Sequence, residues 1–260
     1  MTKEAPVPAT SSRLCAFFCV LVAVAATAFC EPESGSEAQL TVAGPSPYRF
    51  GLASVPGQPI LYRPERVTYY LRLPDGYTAD SARALVLAVS PSGAGRDLFA
   101  PWEKAAAAYG FIFACPDKAG NPVRTDVRGQ TVMDVLHDVC RRYAVDPERI
   151  FLTGFSGGAR MATGVALKFP GLFAGLVPLG GVVYNETPAA LADLKVKRGV
   201  YLFAGELDFN RAEAERAAAI LADASVPVAL MIGPGIAHAQ PEPDQCLEIC
   251  RWFAARGARP

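Results

Sequence analysis

Residues 154–158 read Gly-Phe-Ser-Gly-Gly and have the spacing that exposes a nucleophilic serine. They follow an apolar, strand-like segment, residues 149–153, and precede a helix-like segment, residues 159–168. A serine hydroxyl attacks a carbonyl carbon only if it is exposed and close to a base, and a sharp strand-to-helix turn provides that exposure. The pattern therefore predicts Ser156 as a nucleophile. The alternative is a glycine-rich turn of any α/β protein, because a pentapeptide alone is a weak signal.

A serine nucleophile needs a general base, and the chain has two histidines. His238 lies in a loop directly after the last strand-like segment, at the edge of the sheet where the serine is expected. His137 lies within an amphipathic helical segment, and we expect it on the surface of that helix. The sequence therefore predicts His238 as the base, with a solvated loop histidine as the alternative.

The base in turn needs a carboxylate that orients its ring. Residues 205–208 follow another strand-like segment and contain two acidic residues. We predict Asp208 as the acid and keep Glu206 as the second choice; a helix cap is the alternative role for Asp208. Along the chain the three residues occur in the order Ser156, Asp208, His238, which is characteristic of one hydrolase fold.

Strand-like and helix-like segments alternate from about residue 65 to the end of the chain. This alternation predicts an α/β fold, a mostly parallel sheet with helices on both faces. Ligands of such sheets bind at the carboxyl ends of the strands, where the three candidate residues lie. The segment 180–198 is too short for a large lid domain. The predicted strands are 66–73, 84–89, 111–115, 150–153, 175–179, 199–204 and 226–232, and the predicted helices are 97–109, 131–143, 159–168, 210–224 and 244–255.

The composition is that of a globular protein. The chain has 260 residues, of which 51% are hydrophobic and 19% are charged, which is ample material for the core of one domain. Its 25 basic and 25 acidic residues give a formal net charge of +0, which argues against nucleic acid or an anionic membrane surface as a partner. No Cys/His spacing predicts a metal site.

Residues 1–28 have the layout of a secretory signal peptide. Two basic residues precede an uncharged apolar run that ends in an A-x-A cleavage site at residues 26–28. This predicts export to the periplasm or the outside of the cell, without stable membrane insertion after cleavage; an uncleaved membrane anchor is the alternative. We assign residues 29–64 to a linker and lead-in, and residues 65–260 to a catalytic domain.

The cysteines give no clear disulfide pattern. Of 7 cysteines, Cys15 and Cys19 would leave with the signal peptide, and the odd number that remains leaves at least one thiol free or paired between chains. Cys246 and Cys250 lie one helical turn apart, where a bridge is geometrically awkward. We expect most of these cysteines to be buried small apolar residues.

With these residues, the chain resembles the α/β-hydrolase superfamily. Within it, the chain is similar to the small secreted esterases related to polyhydroxybutyrate depolymerases, feruloyl esterases and dienelactone hydrolases. The resemblance covers about residues 66–256 and implies an α/β-hydrolase fold and hydrolysis of carboxylic esters through an acyl-enzyme, without a cofactor. It rests on residues 70–77, 153–162, 205–208 and 235–238.

One loop departs from the pattern of these families. They usually have His-Gly-x-Gly after the strand that here ends at residue 89, whereas this chain has Ser-Pro-Ser-Gly-Ala-Gly at residues 90–95. The resemblance implies that the N–H of Gly157 and one N–H of this loop bind the oxyanion of the transition state. Pro91 has no N–H, so Ser92 or Gly93 is the expected second donor.

The expected function is therefore that of an exported serine hydrolase acting on small or polymeric esters. Phe155, Phe99 and Trp102 flank the predicted site and are expected to line an apolar pocket, with ordinary core aromatics as the alternative. Two other functions are open: a peptidase that uses the same triad, and a binding protein on a catalytically weakened hydrolase scaffold. The altered loop at residues 90–95 motivates the second of these.

Overall fold

The structure is a computed structural model that describes residues 32–52, 62–183 and 188–257. The predicted signal peptide, residues 1–28, and the linker cysteine Cys30 lie outside the described residues. Among those that are described, none of the helices has the length and the apolar character to span a membrane.

In the described residues, eight strands form one sheet with the order β1-β2-β4-β3-β5-β6-β7-β8. The strands β2–β4 and β1–β2 pair antiparallel, and all other neighbours pair parallel. This confirms the predicted, mostly parallel sheet. The strands are β1 (Glu37–Thr41), β2 (Thr68–Arg72), β3 (Arg83–Val89), β4 (Ile112–Pro116), β5 (Val145–Phe155), β6 (Gly175–Leu179), β7 (Gly199–Gly205) and β8 (Val228–Gly233).

The part of the chain that the structure describes has five α-helices, which cover both faces of the sheet. Helices α2, α3 and α4 pack on one apolar face, and α1 and α5 pack on the other. Alternate residues of a strand serve the two faces: Leu85 and Leu87 of β3 belong to the first core, and Val86 and Ala88 belong to the second. The helices are α1 (Glu103–Tyr109), α2 (Thr125–Arg142), α3 (Gly157–Lys168), α4 (Arg211–Asp223) and α5 (Pro243–Ala254).

The segment expected as a lead-in, residues 29–64, contributes β1, so the sheet begins before residue 65. Two buried carboxylates of α2 hold the chain that follows β1. Asp134 accepts a hydrogen bond from the N–H of Ser46 at 2.8 Å, and Asp138 accepts one from the N–H of Ala43 at 3.0 Å. A five-residue, half-exposed edge strand has too little apolar alternation to be recognised in the sequence.

Two helices differ from their predicted bounds by more than two residues. The predicted helix 97–109 is divided into short 3-10 turns at Gly95–Leu98 and Ala100–Trp102, and only the part from Glu103 onward is α-helical. Helix α2 begins at Thr125 rather than at residue 131, which brings six more residues into the helix. In the described part of the connection from β6 to β7, the one regular element is a 3-10 helix, Pro188–Asp193.

The cysteines of the described residues are free thiols. Cys115, Cys246 and Cys250 are almost completely buried, and Cys140 is half-buried. Burial raises the pKa of the Cys140 and Cys250 thiols to about 12, so these groups stay protonated and pack as small apolar side chains.

Candidate active site

Ser156 lies at the sharp turn between β5 and α3. Its backbone has φ 53° and ψ −120°, a conformation that costs a non-glycine residue about 1–3 kcal/mol. Its N–H donates to the carbonyl of Leu179 at 2.8 Å, which ties the turn to β6. A Cβ on Gly158 would overlap the carbonyl oxygen of Val89, and one on Gly154 would lie 2.6 Å from the backbone of Gly158. Only glycines allow this close contact between strand and helix.

The three predicted side chains form one chain of hydrogen bonds. The ring nitrogen Nε2 of His238 lies 2.9 Å from Oγ of Ser156. The other ring nitrogen, Nδ1, lies 3.0 Å from both carboxylate oxygens of Asp208. An ionised carboxylate can only accept, so Nδ1 carries the proton and Nε2 is left to accept the proton of the serine hydroxyl. The arrangement can therefore activate Ser156 as a nucleophile.

Burial differs along this chain of hydrogen bonds. The Asp208 side chain is fully buried, whereas the His238 side chain is 23% exposed. Asp208 also accepts the backbone N–H of Asn210 at 2.8 Å, so it contacts the start of α4 as well as the histidine. The Asn210 side chain donates to the carbonyl of Gly180 at 2.8 Å. These bonds satisfy the buried carboxylate and fix its position beside the imidazole.

Glu206, the second choice for the acid, faces a different partner. Its carboxylate accepts the backbone N–H of Gly235 at 2.8 Å, at the beginning of the loop that carries His238. Glu206 thus supports the loop of the base and leaves the contact with the imidazole to Asp208.

His137 lies on α2, where it is partly buried. The sequence had led us to expect it on the surface of this helix. Burial, with a smaller contribution from the cation of Arg141, lowers its pKa. The two histidines therefore occupy different settings, and it is His238 that contacts a serine hydroxyl.

Two aromatic rings enclose the imidazole of His238. The ring centroid of Phe155 lies 4.9 Å from that of His238, and the centroid of Phe209 lies 4.3 Å from it. Phe209 is 77% exposed, so its free face is open to a bound molecule. Phe209 was not among the expected pocket residues; the available signal was its position directly after Asp208 in a loop at the strand ends.

Phe99 and Trp102 do not line the site. Both are buried, and both pack against Phe113 of β4, at centroid distances of 4.7 and 6.0 Å. The 3-10 turns that replace the start of the predicted helix direct these side chains into the second core. The alternative interpretation of these two residues, as core aromatics, describes their position in the structure.

Two carbonyl groups of the loop 90–95, those of Pro91 and Gly93, accept hydrogen bonds from the neighbouring loop after β4. The carbonyl of Pro91 accepts the N–H of Asn121 at 2.7 Å, and the carbonyl of Gly93 accepts the N–H of Lys118 at 2.7 Å. The C=O and N–H groups of a trans peptide point in opposite directions. The N–H of Ser92, which shares a peptide with the Pro91 carbonyl, therefore points away from Asn121.

The two expected loop donors are placed differently. The N–H of Ser92 makes a long hydrogen bond of 3.3 Å to the hydroxyl of Ser90, which a stronger acceptor can replace. The nitrogen of Gly93 lies against Gly120, where an added Cβ would be 2.6 Å away from it. Gly157 begins α3, and the side chain of Asn121 lies over its Cα. Of the two loop residues, Ser92 thus has an N–H whose present hydrogen bond is weak, and Gly93 is in close backbone contact with Gly120.

The described residues contain no group of three or more His, Cys, Asp or Glu side chains that could hold a metal ion.

Comparison with known proteins finds similarity to esterases and to a depolymerase. The family model for esterase PHB depolymerase matches residues 112–204. Poly(3-hydroxyalkanoate) depolymerase C of Paucimonas lemoignei is 29% identical over 99 residues, covering 32% of this chain and 23% of that protein. Acetylxylan esterase A of Emericella nidulans is 25% identical over 141 residues, covering 48% of this chain and 44% of that protein. The chain thus spans less than half of the length of either relative.

Solved structures show the same fold. An esterase from Pyrobaculum calidifontis aligns with a TM-score of 0.64 at 12% identity, covering 87% of both chains. At this identity the likeness is one of fold, and it agrees with the parallel sheet and with the strand–turn–helix that carries Ser156. The chain has the α/β-hydrolase fold.

Proposed function

We propose that this protein is a serine hydrolase that cleaves carboxylic esters through Ser156, His238 and Asp208. The observation that carries the proposal is the position of His238. Its two ring nitrogens lie 2.9 Å from the serine hydroxyl and 3.0 Å from the buried carboxylate. A base held between a nucleophile and an orienting acid is the arrangement that acyl transfer requires.

The reaction proceeds in two steps. Ser156 attacks the ester carbonyl while His238 takes the serine proton, and the N–H groups of Gly157 and of Ser92 or Gly93 bind the oxyanion. The tetrahedral intermediate collapses as His238 protonates the leaving alcohol. Water, activated by the same histidine, then attacks the acyl-enzyme and releases the carboxylic acid. Throughout both steps, Asp208 holds the imidazole in the required tautomer.

The matched relatives support an ester as the substrate class. One is named as a depolymerase of poly(3-hydroxyalkanoate), which is a polyester, and the other as an acetylxylan esterase. Both names describe hydrolysis of a carboxylic ester, in which an alcohol is the leaving group. We extend this chemistry, but not either particular substrate, to the present chain.

The experiment that tests this function is hydrolysis of p-nitrophenyl esters of graded chain length, with Ser156→Ala as the control. The wild-type protein is expected to release p-nitrophenol with turnover, and the folded Ser156→Ala protein is expected to lose about a million-fold in rate. Amino-acid p-nitroanilides distinguish the peptidase alternative. Turnover of the anilides without turnover of the esters contradicts the proposed function, and binding of esters without turnover favours the binding protein.

We further propose that the protein is exported and that its signal peptide is removed after Ala28. The charge pattern, the apolar run and the A-x-A site support this. N-terminal sequencing of the protein from expressing cells is expected to begin at Phe29. A retained Met1 or a lipid on Cys30 would instead favour a membrane anchor.

A further inference from the structure

Arg128 is a cation in the interior of the protein that the catalytic steps above do not use. It lies in the first turns of α2, is 1% exposed, and is among the largest fully buried side chains of the described residues. Burying a guanidinium without polar partners costs on the order of several kcal/mol, because the charge loses its hydration. Its partners therefore indicate what the residue stabilises.

Backbone carbonyls are among the partners of Arg128. Its Nε donates to the carbonyl of Ala119 at 2.8 Å. Its Nη2 makes longer contacts, 3.5 Å to the carbonyl of Ser90 and 3.4 Å to the carbonyl of Gly157. These carbonyls belong to three different connections, which follow β3, β4 and β5. One side chain thus joins the loops that follow β3 and β4 to the turn between β5 and α3, and these three connections surround the predicted oxyanion position.

We propose that Arg128 is a positioning residue that sets the oxyanion side of the active site. This inference rests on the proposed function. By holding the carbonyls of Ser90 and Gly157, Arg128 directs these acceptors away from the place where negative charge develops. A carbonyl that turned toward the oxyanion would repel it and oppose the stabilising effect of the N–H groups of Ser92 and Gly157.

The neighbouring loop completes this arrangement. Lys118 adopts φ 57°, an unfavourable conformation for a non-glycine residue, and its N–H binds the carbonyl of Gly93. At Gly120 a Cβ would lie 2.6 Å from both the nitrogen of Gly93 and the carbonyl carbon of Ser92, so the two loops are in direct backbone contact. The loop 90–95 lacks the His-Gly pair expected at this position. Arg128 contacts the first residue of this loop through the carbonyl of Ser90.

Arg128→Lys tests the proposal because lysine keeps the charge but loses the planar fork that spans several carbonyls. The loss of one oxyanion donor costs about 100- to 1000-fold in rate, so a displaced but intact donor is expected to cost about 10- to 100-fold in kcat, with little change in KM. The inhibition constant of a trifluoromethyl ketone, whose serine adduct places an oxyanion in the same position, is expected to weaken by a similar factor. Rates are expressed per active site, titrated with a fluorophosphonate.

Arg142→Lys is the matched control on the same helix. Arg142 binds Asp138 at 2.8 Å and the carbonyl of Thr41 at 3.0 Å, away from the catalytic loops. This variant is expected to lower Tm and leave both the per-site kcat and the ketone affinity within about twofold of wild type. If Arg128→Lys behaves in the same way, Arg128 supports only the fold and the inference is wrong.

A second variant displaces the same loop without changing Arg128. Gly120→Ala places a methyl group against Gly93 and Ser92 and is expected to lower kcat and ketone affinity together. If Arg128→Lys does not fold and Gly120→Ala leaves both quantities unchanged, the inference is contradicted. A wild-type protein that neither labels at Ser156 nor hydrolyses esters contradicts the proposed function itself, which distinguishes that failure from this one.

Discussion

The two sides of the candidate active site are built from different parts of the chain. The acid–base side consists of side chains, Ser156, His238 and Asp208, joined by hydrogen bonds of 2.9 to 3.0 Å. The proposed oxyanion side consists of backbone groups in connections that neighbouring loops and the buried Arg128 contact. Residue identity thus determines the first side, and tertiary packing determines the second.

This difference predicts how substitutions act on each side. A change on the acid–base side removes a reacting group, so the expected losses are large and the fold remains intact. A change on the oxyanion side shifts a donor that is still present, so the expected losses are smaller. Arg128→Lys and Gly120→Ala, described above, test the oxyanion side, and the following substitutions test the acid–base side and its surroundings in order of decreasing effect.

His238→Ala is expected to reduce kcat/KM by about a million-fold, because it removes the proton acceptor. His137→Ala is the matched control and is expected to stay within about twofold of wild type, since the charged groups that act on His137 are Arg141, Asp138 and Asp134 of its own helix. Equal losses in the two histidine variants would contradict the assignment of the base.

Asp208→Asn is expected to reduce kcat by about 10,000-fold with little change in structure, because an amide no longer selects the required imidazole tautomer. Glu206→Gln is the matched control: glutamine can still accept the N–H of Gly235, and the expected loss is less than about threefold. Steady-state kinetics and circular dichroism of both variants provide the measurement. If Glu206→Gln loses more activity than Asp208→Asn, Glu206 is the acid.

Of the substitutions at His238, Asp208 and Phe209, Phe209→Ala is expected to have the smallest effect on activity. Its exposed ring stacks on His238 at 4.3 Å and is available to contact substrate. Aromatic contacts contribute about 0.5–1.5 kcal/mol, so KM for esters with a long acyl chain should rise about 2- to 10-fold. Leu207→Ala is the control, since Leu207 is 68% exposed in the same loop but has no ring to stack. Equal changes in both variants would assign the effect to loop mobility.

The acid–base side could be predicted from the sequence because its signals are local. The spacing of glycines around Ser156 and the positions of Asp208 and His238 after apolar strands fix the edge of the sheet at which all three lie. No comparable local pattern describes the carbonyl orientations of residues 90–95, because these depend on contacts with the loop that follows β4.

Arg128 had a signal that was missed. It lies four residues before Val132, so it continues the apolar face of α2 formed by Val132, Val135 and Val139. A charged residue on a buried face indicates a buried polar partner, but the helix was expected to begin only at residue 131. The burial of Phe99 and Trp102 could not be foreseen, because the 3-10 turns that direct them inward replace an expected helical start.

The most direct test of the central claim is to locate the site of fluorophosphonate labelling by mass spectrometry. We expect one label per chain, in the tryptic peptide 150–160, on Ser156. Thr153 in the same peptide is 1% exposed and donates to the carbonyl of Val177, so fragmentation should find it unmodified. Labelling of the folded protein at any other serine, or none at all, would contradict the claim that His238 activates Ser156.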